Sequence, residues 1–196
     1  MRKSEVNRQT KETNITCYLN LDGSAKANIN SGIGFFDHML TAFSKHSGFD
    51  LEFKATGDLV VDTHHTVEDS GIVLADAFNK ALNDKNSIER YQTFIMPMDD
   101  ALVLTSVDIC GRGYYASNVE FKCDRVGDFE TQTVDEFFRS FAINAKLNLH
   151  FYIFRGENAH HIIEAMFKGL GKCLKDAVKI RSCLLYTSPS PRDSTS

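Results

Sequence analysis

Two histidine pairs carry the chemistry this sequence could perform. In "VVDTHHTVEDSGIVLADAF" His64 stands beside His65, and Glu68 follows His64 by four; in "GENAHHIIEAMFKGLGK" His160 stands beside His161, and Glu164 follows His160 by four. Residues four apart share one face of a helix, so each motif offers an imidazole nitrogen with a carboxylate oxygen. Adjacent helical residues point about 100° apart, because the helix turns every 3.6 residues. His65 and His161 therefore reach in a different direction from their neighbours, toward a second ion. Imidazole with carboxylate suits Zn, Mn, Fe or Ni, and the lack of thiolates at these positions argues against a structural zinc. Four of the seven histidines lie in the two motifs, which favours metal over a set of unrelated hydrogen-bonded histidines.

The elements that position these motifs are also repeated. "FFDHMLTAFSKHSGFDLEF" (Phe35–Phe53) overlays "TVDEFFRSFAINAKLNLHF" (Thr133–Phe151) without a gap, placing His38 on Glu136, Leu51 on Leu149 and Phe53 on Phe151. Each copy opens with apolar residues at helical spacing (Phe36, Leu40, Phe43; Phe137, Phe141) and closes in an alternating strand. Each then passes a polar turn containing Gly57 or Gly156 and enters its HHxxE helix. "TCYLNLDG" and "ALVLTSVDICG" read as strands ending at a turn glycine. The expected fold is α/β (α+β) and internally duplicated, with a first half at residues 1–92 and a second at 93–180.

The duplication nominates the remaining ligands. A symmetric arrangement gives one ion His38, His65, His160 and Glu164, and the other Glu136, His161, His64 and Glu68. His150, on the strand position matching Glu52, rivals Glu136 as the eighth ligand. His46, eight residues after His38, is a candidate substrate contact.

Bulk properties narrow the class. With 196 residues and 42% hydrophobic content the chain can bury one substantial core. A net charge of −4 leaves no basic excess to neutralise phosphates, so no nucleic-acid partner is expected. No apolar run approaches the roughly 20 residues of a membrane span, and the N-terminus lacks the apolar core of a secretory signal. Five scattered cysteines without a CxxC pair suit reduced thiols, and a cytoplasmic protein is expected.

Taken together, "GIGFFDHML", "HHTVEDSGI", "DDALV…VDICGRGYY" and "GENAHHIIEAMFKGLGK" resemble the imidazoleglycerol-phosphate dehydratase family, in the right order and spacing from about Val6 to Ile180. The resemblance implies a duplicated protein, each half a four-stranded sheet with helices packed on one face. It implies assembly into a cubic 24-mer, with two divalent ions per subunit, most often manganese, lying between subunits. The implied reaction removes water from D-erythro-imidazole-glycerol phosphate, giving imidazole-acetol phosphate for histidine biosynthesis. A metal on a ring nitrogen acts there as a Lewis acid, and a diazafulvene-like intermediate is what the family implies. Glu12 in "RQTKETNI" matches the acid–base glutamate, so Glu12, His65 and Glu164 are the expected catalytic residues. Glu12, His46, Arg90, Arg112 and Lys168 are expected to bind substrate, the arginines through planar donor forks suited to phosphate.

Three departures from the family and two alternative readings accompany that resemblance. Many members carry histidine where Glu136 stands, which predicts a shifted metal preference; "GRGYY" lacks the usual proline after the arginine. The chain ends "RSCLLYTSPSPRDSTS" where the family has a phosphate-closing "IPSTKG"-like segment. Residues 181–196 are expected to be a non-native or disordered tail, since a back-translation of Cys183–Asp193 resembles a sequencing-library adapter. A ferritin-like metal-storage protein would need four long helices, which the strands deny. A metallohydrolase would share the two metals but cleave phosphoesters.

Overall fold

The computed structural model describes residues 2–85 and 87–181. The tail expectation, apart from Arg181, lies outside the described residues. Two similar halves follow one another along the chain. The first contains β1 (Lys3–Gln9), β2 (Thr13–Asn20), β3 (Ala27–Asn30), α1 (Gly34–Ser47), β4 (Asp50–Gly57) and α2 (His64–Leu82). The second contains β5 (Tyr91–Met98), β6 (Ala101–Asp108), β7 (Tyr114–Ser117), a small hairpin β8 (Arg125–Val126) and β9 (Phe129–Glu130), α3 (Thr133–Ala145), β10 (Asn148–Arg155) and α4 (Ala159–Ala177).

Each half forms a four-stranded mixed sheet, ordered β1-β2-β4-β3 and β5-β6-β10-β7. In both, the short third strand pairs parallel with the strand that follows a helix, Ala27 with Leu51 and Asn148 with Tyr114. Strand β4 begins at Asp50 and β10 at Asn148, the two residues superposed by the sequence overlay. Alternation drives these strands: along β2 every second residue from Thr13 is buried, and along β10 Leu149 and Phe151 face inward while His150 faces out. The helices of each half pack on their own sheet, and across the halves α1 packs against α4 and α2 against α3. The sheets are thus the outer layers, with the helices and most of the core between them.

Aromatic side chains fill that interior. Phe137 stacks on Phe167 at 5.1 Å and meets Phe36 edge-on at 5.3 Å, while Phe138 lies 4.7 Å from Phe167. These contacts lock α1, α3 and α4 together beneath the motif residues. Glycine permits the closest helix approach in each pair. A Cβ on Gly71 of α2 would lie 2.6 Å from the Phe137 carbonyl oxygen, and one on Gly171 of α4 would lie 2.8 Å from the Phe43 carbonyl oxygen. Because the obstacle is backbone, Gly71→Ala has to push α2 away from α3. We expect a loss of about 1–3 kcal/mol, the range for overpacking, read as a lower urea midpoint with unchanged slope.

The second half carries one insertion with a structural duty. The N-cap of α1, Ile33, has no capping side chain, and Asp128 of the β8–β9 hairpin supplies it by accepting from the Gly34 and Phe35 N–H groups at 2.6 and 3.1 Å. Glu130, two residues later and buried, accepts from the Thr63 hydroxyl at 2.9 Å, at the start of α2. One hairpin therefore fixes the beginnings of both helices that carry His38 and His64.

Candidate metal centre

The packing of α1 on α4 brings His38, His160 and Glu164 together, with one ligand atom from each within 4.8 Å of the others. The Glu164 Oε2 atom lies 3.2 Å from His160 Nε2 and 3.6 Å from His38 Nε2. Its other oxygen meets Lys168 Nζ at 2.6 Å. Glu164 is buried and Lys168 largely so, with side chains 9% and 18% exposed, whereas His38 and His160 open outward. Burial alone would raise the Glu164 carboxyl; the hydrogen bond and charge of Lys168, then His38 and His160, outweigh it and hold the group below its usual range. Phe35 walls the cluster, its ring 5.0 Å from His160 and edge-on.

This donor set fits a divalent ion. Two imidazole nitrogens and an ionised carboxylate oxygen converge from two rigid helices, on the open side of a buried anchor. It is the one such group among the described residues. His65, expected as its fourth member, lies outside it, with Nδ1 2.9 Å from Asp58 Oδ2 at the end of β4.

The matching place in the other helix pair is less tightly gathered. His64 and Glu68 lie 3.5 Å apart on α2, and Glu136 sits half-buried on the facing helix α3, its side chain without a hydrogen-bond partner among the described residues. His161 contacts Asp100 through Nδ1 at 2.6 Å and Asp99 through Nε2 at 3.4 Å. His150, the rival to Glu136, projects from the outer face of the second sheet and packs on Tyr114. It lines a cavity of about 520 Å³ with Tyr91, Asp108 and Arg181, which shares no residue with the His38 group.

The candidate substrate contacts fall in several places. Glu12 is exposed in the β1–β2 turn, which is well braced: Thr10 Oγ1 accepts from the Glu12 and Thr13 N–H groups, and the Thr13 hydroxyl donates to Asp69 of α2 at 2.5 Å. That brace brings Glu12 close enough for its charge to help raise the His65 imidazole, after the larger effects of the Asp58 hydrogen bond and charge. His46 donates from Nδ1 to the Ala42 carbonyl, 2.8 Å away, and burial lowers its basicity. The Arg90 guanidinium is held by both oxygens of Asp108 at 2.7 and 3.1 Å. Arg112 is exposed beside Gly111, whose φ is +86°.

Sequence reasoning missed the supporting polar side chains. Asp62 and Asn158 precede the two histidine pairs by two residues and cap them, accepting from the His64 and from the His160 and His161 N–H groups respectively. Their shared offset within the repeat was a usable signal. For Asp128 and Glu130 no signal existed, because the hairpin has no counterpart in the first half.

A duplicated α/β architecture with imidazoles and carboxylates gathered on paired helices defines a class of α/β enzymes equipped for divalent-metal chemistry. Comparison with known proteins narrows it. The family model for imidazoleglycerol-phosphate dehydratase matches residues 31–174. The imidazoleglycerol-phosphate dehydratase of Caldanaerobacter subterraneus subsp. tengcongensis is 58% identical over 180 residues, 92% of this chain and 93% of its own. That of Acetivibrio thermocellus is 54% identical over 178 residues, 91% of each chain. Among solved structures, the Staphylococcus aureus enzyme superposes with a TM-score of 0.83 at 38% identity, covering 91% of this chain and 99% of that one. The Pyrococcus furiosus enzyme in complex with (S)-C348 gives 0.79 at 40% identity, covering 93% and 98%. The chain belongs to the imidazoleglycerol-phosphate dehydratase family and is a hydro-lyase. No described helix is long and apolar enough to cross a membrane.

Proposed function

We propose that this chain removes water from D-erythro-imidazole-glycerol phosphate to give imidazole-acetol phosphate, using two divalent ions, preferentially manganese, at two sets of ligands. The observation that carries the reading is the convergence of His38, His160 and Glu164 from helices that the duplication pairs with those of Glu136, His64 and Glu68. His65 completes the first set and His161 the second; each lies outside its group within one chain, which supports sites closed between subunits of an assembly such as the expected 24-mer. The two halves, 1–92 and 93–180, then supply equivalent sites, and a location in the cytoplasm fits a soluble biosynthetic step. When bound, the ions supply Lewis acidity to the imidazole ring and hold it in place.

The chain's own residues account for the rest. Elimination takes a hydrogen from one side-chain carbon and the hydroxyl from its neighbour; the resulting enol takes up a proton to become the ketone. One carboxylate that accepts a proton and later donates one suffices, and Glu12, exposed and without an ion pair among the described residues, is suited to both. Arg90, Arg112 and Lys168 bind the phosphate, with Asp108 holding the Arg90 fork in a fixed plane. Half-buried on α1, His46 flanks the substrate.

Elemental analysis of the gel-filtered protein, with a dehydration assay, tests the reading. About two transition-metal ions per chain and turnover of the substrate are expected. A metal-free chain without turnover, after growth with manganese, would sink it. Chelation adds an independent check. If ions bridge subunits, stripping them should lower the particle mass seen by light scattering, and an unchanged mass would place each site within one subunit.

A further inference from the structure

Two carboxylates outside the ligand sets grip the two histidines that stand apart from them. Asp58 Oδ2 lies 2.9 Å from His65 Nδ1, and Asp100 Oδ1 lies 2.6 Å from His161 Nδ1. An ionised carboxylate can only accept, so each imidazole carries a proton on Nδ1, and the neutral ring then presents the lone pair of Nε2. We propose that Asp58 and Asp100 are positioning residues that fix the tautomer and ring orientation of His65 and His161 for metal binding. This rests on the ligand assignment above.

The two acids differ in what else they meet. Asp58 has its second oxygen buried without a hydrogen-bond partner, so only the oxygen facing His65 is available. With its second oxygen Asp100 accepts from the Glu157 and Asn158 N–H groups at 2.6 and 3.0 Å, tying the turn between β5 and β6 to the start of α4. Asp99 of the same turn lies 3.4 Å from His161 Nε2, so a carboxylate also faces the freed nitrogen.

The two acids come from unrelated places in the duplicated fold, and that has a consequence for catalysis. Asp100 immediately precedes β6 as Glu12 immediately precedes β2, so the two occupy equivalent hairpin positions. In the second half this acid holds the histidine. In the first half the longer loop between β4 and α2 brings Asp58 to His65, and Glu12 keeps its carboxylate free. The duplication thus supplies two carboxylates at one equivalent position, and Asp58 releases one of them for proton transfer.

Manganese titration of the assembled, metal-depleted protein, followed by the electron-spin resonance of free ion, tests the proposal. Asp58→Ala and Asp100→Ala are each expected to weaken one of the two ions by about 10–100-fold and leave the other unchanged, the range for partners of ligand histidines. Asp58→Asn retains an acceptor without the charge and should lose only a few-fold, which keeps the test decisive should the alanine variant not fold. In a His65→Ala background, removing Asp58 should cost nothing further, a result that a merely structural role would not give. Parental affinity in both Asp58 variants, beside a parent that binds two ions, overturns the positioning role alone. A parent that binds no manganese overturns the ligand assignment, and this inference with it.

Discussion

Replacing Glu164 with glutamine is expected to remove one of the two ions per chain and to cut dehydration by at least about a hundredfold. The substitution preserves shape and removes charge, so its effect reads the electrostatic part of the site. Glu164 Oε2 faces His38 and His160, and Oε1 faces Lys168. A neutral amide would offer the ion a much weaker ligand and leave the Lys168 ammonium, whose other contact is Met98 Sδ, without a carboxylate in a mostly buried setting. Partners one step removed from a metal cost 10–100-fold when lost, so a ligand should cost at least the upper end of that range. A simple Glu–Lys pair on a helix surface, worth about 0.3–0.5 kcal/mol, would predict almost no effect. The burial of Glu164 argues against that weaker role. Elemental analysis separates the two readings, because retention of both ions with near-parental turnover would reduce Glu164 to a helix pair.

Much of this site was legible because the chain states it twice. The HHxxE spacing put His160 and Glu164 on one helix face, and the overlay of α1 with α3 nominated His38 before any tertiary contact was known. The same overlay put β4 and β10 at matching positions, although both strands run four residues beyond the Phe53 and Phe151 at which the repeat reading ended; a slip by one would expose Leu51 or Leu149. What stayed hidden depends on contacts between segments that the repeat does not relate. Asp58 sits in a loop that is longer in the first half, and the β8–β9 hairpin that caps α1 and α2 belongs to the second half alone. The separation of His65 from His38 within one chain could not be read from helical phase, which says only which way a ring points. Asp100 falls between these cases. Its equivalence to Glu12 follows from aligning the two hairpins, but its use on His161 required the geometry of the β5–β6 turn.

Glu12→Gln provides the complementary result: dehydration should fall by about 10²–10⁴-fold while both ions and the assembly are retained, the usual range for loss of a general acid–base group. The reason lies in how the turn is built. Glu12 contributes its backbone N–H to Thr10, and its side chain has no hydrogen bond or ion pair among the described residues, so glutamine disturbs nothing that holds the turn. The turn is instead pinned through Thr13 and Arg8, both of which meet Asp69 on α2. That places the carboxylate near His65 by the rigidity of its neighbours and leaves it free to accept and return a proton. Loss of a proton shuttle appears in kcat with little change in KM, since the phosphate and ring contacts survive. Loss of metal would instead appear in ion content, as for Glu164→Gln. Parental kcat in Glu12→Gln, at full metal occupancy, would transfer the acid–base role to another group. Asp99, exposed beside His161 in the equivalent hairpin, would be the next carboxylate to replace.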